Sequence, residues 1–266
     1  MPAYKAYLES AGYSQYTPDD FAADIRRFGQ YMGSKRLYDV HATDLQQWVG
    51  QLKRTTPKTV SRKISALRNY FRWLQAEQVL ASSPADPIRA PRVTSPLPMP
   101  LFDAECERLL AAASSDVMTY LLVLLLLETG LKTAELLELR VGDFDFSNQY
   151  QPEVWVRHSG KQQFKDRRLK LPPQVIPVFQ DYVTTRGVSD TLFPCTRRRL
   201  ERLLVAAAQQ ARVTKPVTAS TLRDMFVLQS VKRGMKLDDV LTKLGLSRTH
   251  RIEARDKYVR LTREAL

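Results

Sequence analysis

Apolar residues recur every three or four positions through most of the chain, the period of an α-helix with one buried face. Thr17-Pro18-Asp19-Asp20 supplies a capping hydroxyl, a proline for the first turn and two acids at the positive end of a helix dipole. Phe21, Ile25 and Phe28 follow at helical spacing. Thr43 and Gln46 fit a capping box ahead of a second stripe, Leu45, Trp48, Val49 and Leu52. A third helix is predicted to open at Thr56-Pro57, with Val60, Ile64, Leu67, Phe71 and Leu74 on its apolar face. Residues 117–128, VMTYLLVLLLLE, are apolar all round and predict a buried central helix. Asp103 is expected to cap the helix before it.

The period changes to two at Val154 and Val156, and again at Leu169 and Leu171, on either side of the turn-forming SGKQQFKD at 159–166. That pattern predicts a short hairpin with basic residues at its tip and along its return strand. Helices are expected again at roughly 173–184, 197–211, 219–233 and 237–244, with Gly234 and Gly245 at the last two stops. Residues 81–100 carry six prolines and cannot be helical. The expected organisation is a helical domain at 1–90, a proline-rich linker at 91–100 and a second, mostly helical domain at 101–266. The fold class is mainly α with one small hairpin.

The 266 residues are 44% hydrophobic and 26% charged, as in a globular chain. Lys and Arg number 41 against 28 acids, a formal charge of +13. Such an excess points to a polyanion, because each phosphate contact releases counterions from nucleic acid. No basic amphipathic helix suggests a membrane surface, and the longest apolar run, 121–127, is too short to span a bilayer. Nucleic acid is therefore the expected partner, and no membrane. On the third helix Lys58, Arg62, Lys63, Arg68 and Arg72 lie off the apolar stripe, and no acid occurs between Lys53 and Arg72. That face is expected to meet phosphates, together with Lys165 and Arg168 of the hairpin. Cys106 and Cys195 fit no metal or redox spacing. A reducing, cytoplasmic setting is expected, at the nucleoid, with no metal and no other cofactor.

The segment at 217–247 resembles the C-terminal signature of the tyrosine site-specific recombinase (phage integrase) family. That family shows a Thr-Pro-His-x-Leu-Arg-His-Thr-Phe block, an Arg-Gly turn and Leu-Gly-His-Ser. Leu222, Arg223 and Phe226 match the first block, Arg233-Gly234 the turn, and Leu244, Gly245 and Ser247 the last, without a gap. TGLKTAELLEL at 129–139 is similar to the family's Thr-Gly-Leu-Arg-x-x-Glu-Leu, and Gly160-Lys161 to its hairpin turn. The resemblance covers nearly the whole chain. It implies a helical, SAM-like core-binding domain and a catalytic domain closing as a clamp on double-stranded DNA. It also implies tyrosine attack on a phosphodiester, a 3′-phosphotyrosyl link, and no need for ATP or a metal.

Residue by residue, the resemblance gives Arg223 the grip on the scissile phosphate and Lys161 the part of general acid. Lys132 stands where the family has its first arginine, keeping the charge but losing the planar fork. Ser220 stands at the first histidine, Leu246 at the second, and Asp224 where another histidine is usual. Tyr258 is the candidate nucleophile, about three residues farther from the Leu-Gly block than is common, and His250 falls in that insertion as a stand-in histidine. The resemblance further implies self-association, or a partner recombinase, on DNA. Only eight residues follow Tyr258, so a long exchanged tail is not expected, and a monomer is expected without DNA.

Two functions fit these residues. One is a recombinase or integrase that cuts and rejoins DNA. The other is a homologue impaired in strand cleavage that binds DNA as an accessory or regulatory factor.

Overall fold

In the computed structural model, residues 1–13, 17–52, 55–91, 98–158, 165–246 and 248–265 are described. Among them are twelve α-helices and three short strands, divided between two units, Met1–Ser95 and Pro96–Leu266.

The apolar stripes of the first third become α2 (Thr17–Met32), α3 (Ala42–Gln51) and α4 (Pro57–Ala76). Thr56 caps α4, its hydroxyl accepting from the Thr59 amide at 3.3 Å. The α3 cap differs from the expected Thr43–Gln46 box. The helix starts one residue earlier, and Asp44 accepts from the His41 amide at 2.8 Å. A helix not foreseen, α1 (Pro2–Ser10), precedes them. Its first-turn Tyr4 is wholly buried, donates to Asn69 Oδ1 at 2.8 Å and meets Tyr70 and Trp73 at ring-centroid distances of 5.0 and 5.3 Å. Aromatic rings with a polar tip build this face, so a search for aliphatic spacing misses it.

The basic face of α4 needs a correction. Lys63 is buried, 5% exposed, and its ammonium donates to Asp24 Oδ1 at 2.7 Å. Asp24 sits inside the α2 apolar stripe and also draws Arg62 to 2.6 Å and Arg27 to 3.6 Å. Arg68 donates to the Ile88 carbonyl, and Arg72 pairs with Asp86 at 3.1 Å. The acids missing from the local sequence come from α2 and from the segment after α4. Lys58 is exposed in the first turn of α4.

In the second unit α6 (Val117–Thr129) is the central helix, with Leu121, Leu122, Leu125 and Leu126 wholly buried. Around it pack α5 (Asp103–Ala113), α8 (Val175–Arg186), α9 (Arg197–Gln210) and α10 (Ala219–Lys232). Phe102, not Asp103, caps α5, with Glu105 accepting from its amide at 2.7 Å. The short α7 (Thr133–Glu138) and α11 (Leu237–Lys243) precede the C-terminal α12 (Arg248–Ala265). The hairpin strands β2 (Glu153–Val156) and β3 (Arg167–Lys170) pair antiparallel, with Trp155 opposite Arg168. A two-residue strand, β1 (Phe144–Asp145), adds to β2, giving the order β1-β2-β3. Two residues are too short for any period to announce. No helix among the described residues is long and apolar enough to cross a membrane.

Asp24→Ala would leave Lys63 buried without its anion, and loss of one partner of such a pair costs about 3–5 kcal/mol. In a Trp155→Phe background, Trp48 and Trp73 report on the first unit alone. Urea unfolding followed by their fluorescence should show that loss. A loss below about 1 kcal/mol, the level of a surface pair, would refute the buried role.

Candidate active site

Thr129-Gly130-Leu131-Lys132 is the turn between α6 and α7. Gly130 has φ +61°, and a Cβ there would stand 2.5 Å from Phe226 Cδ1 and 2.9 Å from Leu244 Cδ2. Both the left-handed backbone and the close approach of α10 demand glycine. The Gly130 carbonyl accepts from Arg223 Nη1, and Arg223 Nη2 donates to the Leu244 carbonyl at 2.9 Å. Arg223 therefore joins α10 to the end of α6 and the end of α11. These bonds use two of the five guanidinium donors. Burial pulls its pKa down and the charge of Glu135 opposes the fall.

Lys132 is the N-cap of α7, and its amide donates to Glu135 Oε2 at 2.9 Å. Its side chain keeps contact with solvent, yet protein atoms crowd it. That desolvation, helped by the charges of Arg223, Lys165 and Arg167, pulls its pKa below the ordinary lysine value against the attraction of Glu135. The charges of Lys165, Arg167 and Arg223 thus all bear on Lys132.

Glu135 is the anion that makes this gathering tolerable. It takes two bonds from Arg167, at 3.2 and 3.0 Å, and faces His158 Nε2 at 3.3 Å. Burial pushes its pKa up, but the Arg167 bonds and charge and the Lys132 amide outweigh that, so the net shift is down. Arg167 Nε also donates to the Lys243 carbonyl at 2.6 Å. A Cβ on Gly245, where φ is +60°, would stand 2.5 Å from Arg167 Nη1. The glycine of the Leu-Gly block is thus the space through which Arg167 reaches α11.

Tyr258 lies on α12, only 4% exposed, and its hydroxyl donates to Asp224 Oδ1 at 2.8 Å. Lys257 Nζ donates to the same oxygen at 2.6 Å. Burial and then the Asp224 charge push the phenol pKa well up, against the pull of Arg223. Arg223 and Asp224, neighbours on α10, act on one phenol from opposite electrostatic sides.

The remaining candidates are placed less centrally. Ser220 is exposed in the first turn of α10, and Leu246 is half-buried against the core. His250 is exposed in the first turn of α12, about two helical turns before the buried Tyr258. Arg168 is exposed and shares the Trp155 ring with Arg157, at 5.2 and 4.1 Å from its centroid. The backbone of Lys165 accepts from Arg167 at 3.3 Å. Lys161 and Ser247 lie outside the described residues.

The sequence profile of the phage integrase family matches residues 101–262, and that of the phage integrase N-terminal SAM-like domain matches 2–78. The chain belongs to the phage integrase family. The function that goes with this family is DNA recombination. A tyrosine recombinase of Thermosipho africanus is 26% identical over 247 residues, covering 88% of this chain and 85% of the relative. The tyrosine recombinase XerD of Listeria innocua is also 26% identical, over 260 residues, covering 88% and 85%. Among solved structures, a lambda integrase dimer bound to a COC′ core site superposes with a TM-score of 0.74 at 17% identity, covering 96% of this chain and 76% of that one. The Tn1549 transposon integrase with a circular intermediate DNA gives 0.73 at 20% identity, covering 99% and 98%.

Tyr258 of this phage integrase chain stands within α12, which runs unbroken from Arg248 to Ala265. The Glu135–Arg167 pair escaped the sequence reading. Glu135 was legible as the glutamate of the Thr-Gly-Leu-Arg-x-x-Glu-Leu motif and at the spacing of a capping carboxylate, but its partner Arg167 was not. Asp224 was legible as a departure from the family pattern, but its partners Lys257 and Tyr258 come from a helix 33 and 34 residues away.

Glu135→Gln should destabilise the second unit by about 3 kcal/mol near neutral pH, because Arg167 loses a buried carboxylate. The folded pKa of Glu135 is depressed, so its contribution is full above the unfolded glutamate value of about 4.3 and is lost as pH falls through the lower folded value. Urea midpoints between about pH 5 and pH 3 should therefore fall more steeply for wild type than for the variant. Parallel slopes would show that Glu135 is not held ionised.

Proposed function

We propose that this chain cuts and rejoins duplex DNA through a covalent 3′-phosphotyrosyl intermediate on Tyr258. The observation that supports this is the convergence of Tyr258 with Arg223: the C-terminal helix buries a phenol on which the Arg223 charge acts, and the motif resemblance gives Arg223 the scissile phosphate. In the forward step Tyr258 Oη bonds to phosphorus and the bond from phosphorus to the 5′-oxygen breaks. Arg223 holds the non-bridging oxygens with its remaining donors, and Lys132 adds a second positive charge as negative charge develops there. Lys161 protonates the departing 5′-oxygen. A transesterification conserves the number of phosphoester bonds, so the reverse attack by the 5′-hydroxyl needs no energy source.

Ser220, exposed at the N-terminus of α10, is a hydrogen-bond donor to phosphate rather than a proton carrier. Lys58 and Arg168, both exposed, are further candidate phosphate contacts, whereas Arg62, Arg68 and Arg72 are held by partners within their own unit. The solved integrases that share this fold include a dimer on a core site, a tetramer on a Holliday junction and complexes with transposon DNA. By analogy this chain binds double-stranded DNA and associates with itself, or with a partner recombinase, upon it. Such work sets it at the nucleoid.

A pool of nicked duplexes with a randomised central segment traps cleavage, because the freed strand end diffuses away. Wild type should form an adduct stable to denaturing detergent, and Tyr258→Phe none. Wild-type binding without any adduct would leave the DNA-binding homologue as the function. Binding should also weaken by about 10³-fold or more between about 50 and 200 mM salt; an affinity indifferent to salt would rule out a phosphate-contacting surface.

A further inference from the structure

The site holds a buried carboxylate that the steps above leave idle. Asp224 is 2% exposed. Its Oδ1 lies 2.8 Å from Tyr258 Oη and 2.6 Å from Lys257 Nζ, and the Lys257 ammonium sits 4.8 Å from the Tyr258 ring centroid. The attacking phenol must lose a proton, and the groups near it differ in what they can accept. Arg223 and Lys257 are donors only. The Asp224 carboxylate is the acceptor already hydrogen-bonded to the atom that must be deprotonated.

We propose that Asp224 is a catalytic residue of strand cleavage, taking the Tyr258 proton as the phenolic oxygen bonds to phosphorus and returning it when the strand is resealed. This rests on Tyr258 being the nucleophile. In the forward step the Oη–P bond forms, the P–O5′ bond breaks, the phenolic proton passes to Asp224 Oδ1, and the 5′-oxygen takes its proton from Lys161. In the reverse step the neutral Asp224 acid reprotonates Oη as it leaves phosphorus. Lys257 is a positioning residue, holding the acceptor oxygen toward the phenol between turns of the cycle. A hydrogen bond to the carboxylate keeps the phenol neutral at rest, which also spares the buried site a phenolate before phosphate arrives.

The test uses the full chain and the randomised nicked duplexes under single-turnover conditions. Asp224→Asn keeps an acceptor oxygen but cannot take the proton, and should cleave about 10²–10⁴-fold more slowly, with DNA retained on filters as by wild type. Asp224→Ala should be comparably slow and be partly restored by added formate, a small carboxylate able to enter the vacated space. Asp224→Glu, which keeps the carboxylate, should be intermediate and guards against misfolding as the cause. An Asp224→Asn rate equal to or above wild type would overturn the proposal, the latter marking Asp224 as a brake on Tyr258. A slow, folded, DNA-binding Asp224→Ala that formate does not restore would also overturn it, leaving an anchoring bond only. No wild-type adduct, or an adduct that survives Tyr258→Phe, would instead sink the nucleophile assignment, and the proposal with it.

Discussion

A single guanidinium determines how the candidate site is assembled. Arg223 donates to the Gly130 carbonyl at the end of α6 and to the Leu244 carbonyl at the end of α11. Both carbonyls belong to helix ends, where backbone acceptors have no partner within the helix. One cation from α10 satisfies them and fixes three elements together. The same bonds hold the guanidinium still, so its charge is fixed in place by the fold. The glycines follow from this geometry. A side chain at 130 would strike Phe226 and Leu244, and one at 245 would strike Arg167.

Fixing one buried cation near three others raises an electrostatic difficulty that Glu135 relieves. Its carboxylate takes both arms of Arg167 and the amide of Lys132. Arg167 is thereby committed to structure, reaching from β3 to the Lys243 carbonyl. Lys132, at the mouth of the same turn, keeps its solvent contact. Their partners divide the two cations into a strut, Arg167, and a solvent-exposed charge, Lys132. A lysine there supplies a point charge where arginine would supply a planar fork.

The same separation of bulk charge from available charge runs through the first unit. A net charge of +13 says that a polyanion is a fitting partner. It does not say which cations meet it. Lys63 and Arg62 close on Asp24, and Arg72 on Asp86, so part of the acid-free face of α4 is neutralised by acids distant in sequence. A buried pair such as Asp24–Lys63 tolerates loss of one member poorly, because the other is left charged in the interior.

Helix positions, the buried α6 and the hairpin were legible because periodicity, prolines and glycines act locally. Family motifs singled out Arg223 within a gapless segment and Lys132 within a second motif, whereas Tyr258 fell outside the common spacing. The aromatic α1, the two-residue β1 and the true cap of α3 were not, because each depends on what lies opposite. Nor could the sequence reveal that Lys63 and Arg167 are inward ties while Lys58 and Lys132 face solvent. What the amino-acid sequence by itself determined was the elements, the family and the inventory of charges. The tertiary structure alone decided which charges are paired, and that the Tyr258 phenol donates to Asp224. Periodicity reports which face of a helix is apolar, whereas the partner of a charge is set by helices that meet only when the chain has folded.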